Sequence, residues 1–203
     1  MRGDESLRPR GPRRSGPCRH GDRRARGRVC HLGCAQDERA HCLGSFVFYW
    51  SEKQETTHTW YGLFCNGLQT ESLDVMQRHW TGGWPANRAP AIQGPRIDGF
   101  NEPRSVCLKE AQTYRAEVQA TDHEADPFVF AWDIRPEVVI PAGSYAGGLE
   151  KPVKPIPGLI RDPAAAKIGF TAPSQVGAYR LFVTVKDGKG HLAYGNVPFR
   201  VDP

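Results

Sequence analysis

Residues 179–185 read YRLFVTV, and this stretch decides the fold class of the C-terminal half of the chain. Apolar side chains recur at every second position, at Tyr179, Leu181, Val183 and Val185. Because successive side chains on a β-strand point to opposite faces, the alternation predicts a strand with one buried face. Residues 128–134, FVFAWDI, repeat the pattern with Phe128, Phe130, Trp132 and Ile134 on one face. We therefore expect Trp132 to be a core residue rather than a ligand platform.

Similar patterns extend outward from these two strands. Residues 112–120, QTYRAEVQA, alternate in the same way, and residues 191–201 supply a last strand. Turn signals lie between them at 122–127, 143–148 and 187–190, and a Pro/Gly/Ala-rich stretch at 141–166 indicates a long loop. Residues 105–203 are thus predicted to form an antiparallel β-sandwich, of about the 100-residue length usual for an immunoglobulin-like domain.

A different pattern precedes the predicted sandwich. Residues 45–50, SFVFYW, form a short apolar run typical of a strand buried on both faces. Asn66-Gly67 is a turn signal, and Thr70 is a candidate N-cap of a helix whose mostly apolar face carries Leu73, Met76, Gln77 and Trp80. A strand, a loop and a helix make a β/α unit, assigned to residues 41–83. Residues 84–104 are rich in Pro, Gly and Asn and are predicted to be a linker between domains.

The stretch LGSFVFYWSEKQETTHTWYGLF, at 43–64, is followed by ESLDVMQRHWTGGWP at 71–85. Together they resemble the last β/α unit of a (β/α)₈-barrel glycoside hydrolase, most similar to family 2-like bacterial proteins in which an immunoglobulin-like domain follows the barrel. The resemblance implies a mixed fold: the last strand and helix of a TIM-type barrel, then a β-sandwich. In such retaining barrels the general acid/base follows the fourth strand and the nucleophile follows the seventh, so both catalytic residues are expected outside this chain.

The same resemblance assigns a role to the residues after the apolar run. Trp50 matches the tryptophan that floors the sugar subsite in these barrels. Glu52, Glu55 and Trp60 are the other candidates for substrate contact. Glu52 and Glu55 share one loop, whereas the two carboxylates of a glycosidase flank the scissile bond. The alternative is that both glutamates are solvated loop residues and that Trp50 belongs to the core.

Acidic turns in the predicted sandwich offer a candidate metal site. The stretches TDHEADPFVFAW and GAYRLFVTVKDGKG resemble PKD-like and cadherin-like sandwiches of secreted proteins, in which such turns sometimes bind calcium through oxygen ligands. The calcium candidates are Asp122, Glu124, Asp126 and Asp187. The alternative is that Asp and Gly favour tight turns for backbone reasons alone, and no cofactor is expected.

The charge of the chain is concentrated at its start. Residues 1–40 hold eleven Arg and five acids, whereas the remaining residues hold sixteen Lys plus Arg and seventeen acids. With no aromatic residue, the first forty are expected to be disordered. A nucleic-acid-binding arm is a weaker alternative, and a third is a stretch translated in a non-native reading frame.

Neither a membrane span nor a secretory signal is predicted. No apolar stretch approaches the roughly twenty residues needed to cross a bilayer, and the basic start lacks the apolar core of a signal peptide. A parent protein that is secreted, periplasmic or cell-surface is expected from the resemblance.

The six cysteines do not have a zinc-site pattern. Cys30, Cys34 and Cys42 lie near three histidines, but their spacing matches no paired C-x-x-C or finger arrangement. Cys65 and Cys107 fall in the predicted globular part, where they are expected to be buried thiols.

Two functions follow from these observations. The first is a remnant of a glycoside hydrolase of poly- or oligosaccharide that supplies one wall of the sugar site and is inactive alone. The second is a non-enzymatic extracellular β-sandwich module for carbohydrate binding or adhesion. Both make carbohydrate the expected partner, and neither requires nucleic acid.

Overall fold

The computed structural model describes residues 47, 49–52, 62–100, 106–138 and 153–203. Within these ranges the chain is mostly β-structure with one short helix. The elements, in chain order, are β1 (Phe64–Cys65), β2 (Leu68–Gln69), α1 (Glu71–Thr81), β3 (Ala91–Ile97), β4 (Cys107–Lys109), β5 (Thr113–Thr121), β6 (Val129–Pro136), β7 (Ile160–Arg161), β8 (Lys167–Thr171), β9 (Gly177–Lys186) and β10 (Leu192–Asp202).

Strands β3 to β10 form two four-stranded sheets. One has the order β4–β10–β9–β6, in which β4 runs parallel to β10 and the other neighbours are antiparallel. The other has the order β3–β5–β8–β7 and is antiparallel throughout. The long strands predicted from the alternating patterns, β5, β6, β9 and β10, are therefore confirmed and shared between the sheets.

A single hydrophobic core lies between the sheets. It includes Trp132, Ile134, Leu181, Val183 and Phe199 from one sheet and Ile97, Val118, Ile168 and Phe170 from the other. Trp132 is buried, as its place in the alternation predicts, whereas Phe128 and Phe130 are only partly buried. The period-two pattern thus identifies the inward faces correctly, because it follows directly from strand geometry.

The sandwich begins earlier than the sequence predicts. Residues 91–97, within the predicted linker, form β3 and pair with β5. Gly94 and Pro95 interrupt the alternation, and the pairing register shifts between Gln93 and Arg96. β3 lies at the edge of its sheet, where a proline without an N–H is tolerated. The 141–166 stretch likewise contains a strand, β7, within its described part.

The segment before the sandwich is a hairpin followed by a helix. Strands β1 and β2 are antiparallel, and Asn66 and Gly67 both have positive φ at the predicted turn. The helix begins after Thr70 and ends at Gly82, whose left-handed conformation terminates it. Thr70 has the extended backbone of an N-cap, but its hydroxyl donates to the Leu63 carbonyl rather than accepting from the helix.

This segment is not a parallel β/α unit in its described part. The helix follows a two-residue antiparallel strand, and the described ranges contain no barrel. Residues 47, 49 and 50 of the predicted 45–50 strand are described and lie in no strand, while the others lie outside the described residues. The basic leader at 1–40 also lies outside them. In the part of the chain that the structure describes, no helix could cross a membrane.

Gly195 on β10 allows β3 to pack closely against it. A Cβ atom at this position would lie 2.6 Å from Pro95 Cδ and 2.9 Å from the Gly94 carbonyl oxygen. Gly195→Ala is therefore expected to lower the free energy of unfolding by about 1–3 kcal/mol, because the added methyl group forces the two strands apart. Urea denaturation followed by circular dichroism measures the change.

Gly169→Ala is the matched control for this substitution. Gly169 also lies in a strand, and no heavy atom comes within 4 Å of an added Cβ. Alanine there is expected to leave stability unchanged or to raise it by up to about 1 kcal/mol, since it reduces the entropy of the unfolded chain. Equal stability of the two variants would contradict the steric explanation.

Candidate functional site

Two stacked tryptophans lie at the surface beside the helix. The rings of Trp50 and Trp80 have centroids 6.2 Å apart and planes inclined by 18°. Trp50 also makes an edge-to-face contact of 6.0 Å with Phe64 in the hairpin. In spite of these contacts the two residues are 57% and 59% exposed. The pair therefore combines partial support from neighbouring rings with large apolar faces open to solvent.

A third exposed tryptophan follows the end of the helix. Trp84 is 43% exposed, and the guanidinium carbon of Arg88 lies 3.9 Å from its ring centroid. Arg78, in the last turn of the helix, lies 5.8 Å from the same ring. Both distances fall within the range of a cation–π interaction. We refer to Trp50, Trp80 and Trp84 together as the tryptophan surface.

Trp80 and Trp84 were not among the sequence candidates. The helical spacing placed Trp80 on the same buried face as Met76, but Met76 is buried and Trp80 is exposed. The helix ends at Thr81, so no further turn extends the face on which Trp80 would pack. The signal that could have identified both residues is a pair of tryptophans flanking the Gly82-Gly83 break in the chain.

Glu52 has a structural role that the sequence did not suggest. Its carboxylate accepts a hydrogen bond from the backbone N–H of Gly67, at the turn between β1 and β2. Glu52 thus holds the hairpin turn rather than presenting an uncommitted carboxylate to a ligand. The other two candidates from this region, Glu55 and Trp60, lie outside the described residues.

A polar cluster beneath the helix joins it to the sandwich. Asp187 is fully buried at the turn between β9 and β10, and its Oδ1 accepts from Lys189 N at 2.7 Å and His191 N at 3.0 Å. Its Oδ2 lies 2.8 Å from Asn87 Nδ2 and 2.9 Å from His191 Nδ1. Asn87 belongs to the segment after the helix, so one carboxylate links that segment to the sandwich.

Neighbouring backbone contacts extend this attachment. Gln69 N donates to the carbonyl of Gly190 at 3.0 Å, and Arg88 N donates to Glu124 Oε2 at 3.1 Å. Asp74, buried on the helix, accepts from Ala89 N at 2.7 Å. The helix and hairpin are therefore held at one end of the sandwich, by the loops after β5 and β9.

The two buried aspartates have opposite pKa shifts. Burial raises the pKa of Asp74 above its usual value, and the hydrogen bond from Ala89 opposes only part of this effect. Burial also acts to raise the pKa of Asp187, but the hydrogen bonds from Lys189 and His191 outweigh it, so that this pKa lies below its usual value. The ionised carboxylate of Asp187 is consequently stabilised by the fold, whereas the ionised form of Asp74 is destabilised by its burial.

Two of the four calcium candidates, Asp122 and Asp187, accept hydrogen bonds within their own turns. Asp122 Oδ1 accepts from the backbone N–H groups of Glu124 and Asp126, and Asp187 binds its own turn and Asn87. No group of three His, Cys, Asp or Glu side chains that could hold a metal ion occurs within the described ranges. The turn explanation for these acids therefore accounts for the contacts of Asp122 and Asp187.

The two described cysteines differ in environment. Cys65 is buried as expected, whereas Cys107 on the edge strand β4 is exposed, contrary to the prediction. Burial, with a smaller contribution from Glu52, raises the pKa of Cys65 to about 12. Its thiol is thus protonated at neutral pH and serves as a core group. Cys30, Cys34 and Cys42 lie outside the described residues.

Comparisons with known proteins do not assign the chain to a family. No protein-family model matches the sequence, and no curated protein matches it significantly. The crystal structure of the PmoD soluble domain from Methylocystis sp. ATCC 49242 (Rockwell) is 12% identical to the chain, with a TM-score of 0.29. The match covers 59% of this chain and 95% of that one. A TM-score this low does not establish a shared fold.

Proposed function

We propose that this chain is a non-catalytic β-sandwich protein that binds carbohydrate through the tryptophan surface. The observation that carries the proposal is the stacked pair of Trp50 and Trp80, more than half exposed. The flat apolar face of an indole ring fits the C–H face of a pyranose. Clustered exposed aromatic residues on a folded protein mark a binding site more often than isolated ones do.

The attachment of the hairpin and helix to the sandwich favours this function. The helix carries Trp80, and the hairpin carries Phe64, which contacts Trp50. Both elements and the segment after them are tied to the sandwich through Gln69, Asn87 and Arg88. Aromatic groups held on rigid elements lose little entropy on binding, so they contribute more affinity than mobile ones. Glu52 is engaged by Gly67, which supports a binding role over a catalytic one for this region.

We further infer that the sandwich is immunoglobulin-like. The orders β3–β5–β8–β7 and β6–β9–β10 correspond to the A-B-E-D and C-F-G sheets of that fold. Trp132 on β6 occupies the place of the buried tryptophan on strand C. Tyr179, near the start of β9, donates its hydroxyl to the Gln175 carbonyl at 2.7 Å, which is the geometry of a tyrosine corner.

A second candidate function is the remnant of a glycoside hydrolase. It is favoured by the sequence resemblance and by the exposed Trp80 of α1, since a barrel helix without its neighbours would show such a residue. The proposal keeps Trp50 as the floor of the sugar subsite, with the acid/base and nucleophile outside this chain. An exported parent protein is part of the same proposal.

Genomic sequence upstream of Met1 discriminates between the two candidates. An open frame that encodes further barrel strands, with a glutamate near the end of each of two, would support the remnant. Non-coding sequence there would favour the stand-alone binding module. Hydrolysis of chromogenic glycosides by the purified chain would contradict both, because neither provides a catalytic pair.

Removal of either stacked ring is expected to weaken polysaccharide binding. Trp50→Ala and Trp80→Ala should each reduce affinity by about tenfold, which corresponds to about 1.4 kcal/mol, because truncating an aromatic anchor removes its contact with the sugar. Affinity electrophoresis against a panel of neutral and acidic polysaccharides, followed by calorimetry on those that bind, measures the effect.

Val176→Ala is the control for these variants. Val176 is another large exposed apolar residue, 45% accessible and remote in sequence from the tryptophans. The Val176→Ala variant should bind polysaccharide with the same affinity as the unaltered chain. Polysaccharide affinity that is the same in all three variants, or no binding to any polysaccharide, would refute the proposed function.

A further inference from the structure

The segment that carries two of the tryptophans is positively charged. Residues 75–90 include Arg78, His79 and Arg88 and contain no Asp or Glu. Residues 77–84 are all exposed, so this basic character is presented to solvent together with Trp80 and Trp84. Stacking on neutral sugars does not require these cations.

Arg88 is positioned to bind an anion. The guanidinium carbon of Arg88 lies 3.9 Å from the centroid of the Trp84 ring. Stacking on this ring supports the guanidinium plane, and N–H groups at the edge of that plane can donate to a partner. Among the described residues Arg88 forms no salt bridge. Its Nε is buried without a hydrogen-bond acceptor, so an anion would bind the terminal Nη groups. An incoming carboxylate or sulfate group would therefore not have to displace an existing ionic partner.

Two acidic residues near Arg88 bond to backbone N–H groups rather than to its guanidinium, although the Arg88 charge also lowers the pKa of one of them, Asp74. Glu124 Oε2 accepts from the backbone N–H of Arg88, and Asp74 Oδ2 accepts from Ala89 N within the buried cluster. Arg78 donates to the Gly82 carbonyl at the end of the helix and forms no salt bridge among the described residues. The two arginines thus give the tryptophan surface cations that no described salt bridge engages and that an anionic ligand would complement.

We propose that the ligand of the tryptophan surface is an acidic polysaccharide, whose rings lie on the exposed indoles and whose anionic groups bind Arg88 and Arg78. This inference rests on the proposed function and specifies its ligand class. A nucleic acid could also combine stacking with anion binding. The saccharide is retained as the ligand class of the proposed function, and binding of a nucleic acid is an outcome of the test.

The test compares polygalacturonate, chondroitin sulfate, a neutral glucan of similar length and a single-stranded oligothymidylate, all with the full-length chain. The unaltered protein is expected to bind one of the acidic polymers at least about tenfold more tightly than the neutral glucan, since charge-assisted hydrogen bonds are the stronger ones. The two acidic polymers distinguish a carboxylate from a sulfate ligand. Arg88→Gln should abolish this preference, measured as the ratio of acidic-polymer affinity to neutral-glucan affinity.

Arg161→Gln is the matched control, since Arg161 is an exposed arginine on β7 of the sandwich. Both variants keep the arginine-rich residues 1–40, so any general attraction of that segment to polyanions cancels in the comparison. Equal acidic-polymer affinity in the Arg88 and Arg161 variants would overturn the inference. Equal affinity of the unaltered chain for acidic and neutral polymers would also overturn the inference. If that binding were lost in Trp50→Ala, the proposed function would still hold. If the oligothymidylate bound more tightly than any polysaccharide, and Trp50→Ala weakened that binding, the ligand would be a nucleic acid and the inference would be wrong.

Discussion

Replacing Asp187 by alanine is expected to lower the free energy of unfolding by about 3–5 kcal/mol, as the loss of one member of a buried polar pair usually does. The carboxylate has contacts of 2.7 and 3.0 Å with the N–H groups of Lys189 and His191, and of 2.8 and 2.9 Å with Asn87 and the His191 ring. Alanine leaves these donors without an acceptor in a buried site. Urea denaturation at pH 7, followed by circular dichroism, measures the loss.

The stabilisation by Asp187 should also depend on pH in a defined direction. Its pKa is lower in the folded chain than the ordinary aspartate value, so the unfolded chain binds more protons in the acidic range. The contribution is therefore fully present above about pH 5 and is lost as the pH falls through the region below about pH 4. The difference in stability between the unaltered protein and Asp187→Ala should shrink over that interval.

Asp74→Asn provides the contrasting control. Asp74 is buried too, but its pKa is raised, so its charged form opposes folding as the pH rises above the ordinary aspartate value. Asparagine removes this charge and retains an oxygen that can accept from Ala89 N. The variant should be as stable as the unaltered chain at pH 7, or more stable. A loss in Asp74→Asn as large as that in Asp187→Ala would contradict the different roles assigned to the two carboxyl groups.

Replacing Trp132 by alanine is the second substitution with a large expected effect, about 3–5 kcal/mol. The side chain is buried between the sheets, and its Nε1 donates to the Ala165 carbonyl at 2.9 Å. Alanine leaves a cavity in the core and releases the segment before β8. Circular dichroism is the suitable probe of unfolding, because the substitution also removes a fluorescent residue.

Two companion variants separate the contributions at this position. Trp132→Phe keeps most of the apolar volume and loses the hydrogen bond, so it should cost less than the alanine variant. Val129→Ala lies on the same strand at a position 58% exposed and should change stability by less than about 0.5 kcal/mol. An alanine variant at Trp132 that loses less than about 1 kcal/mol would show that the core does not depend on this ring.

The candidate site was only partly predictable from the sequence. Trp50 ends an apolar run and is a candidate through the resemblance to glycoside hydrolase barrels, and its ring is exposed. Trp80 was misplaced on the buried face because helical spacing cannot show where the neighbouring elements end. The contact of Glu52 with the N–H of Gly67 could not be predicted, because Gly67 lies fifteen residues further along the chain. Contacts of this kind depend on how the hairpin folds back, which no local pattern records.

The features that the sequence determined by itself are those governed by local backbone geometry. Alternation of side chains identified the long strands β5, β6, β9 and β10, and the Asn66-Gly67 pair identified a turn that requires positive φ. Tertiary structure decided the rest. It made a strand of 91–97 by pairing it with β5, and it brought Asn87 to Asp187 from one hundred residues away. Such contacts join segments that are distant in the chain, so their energy is gained only when the whole domain has folded.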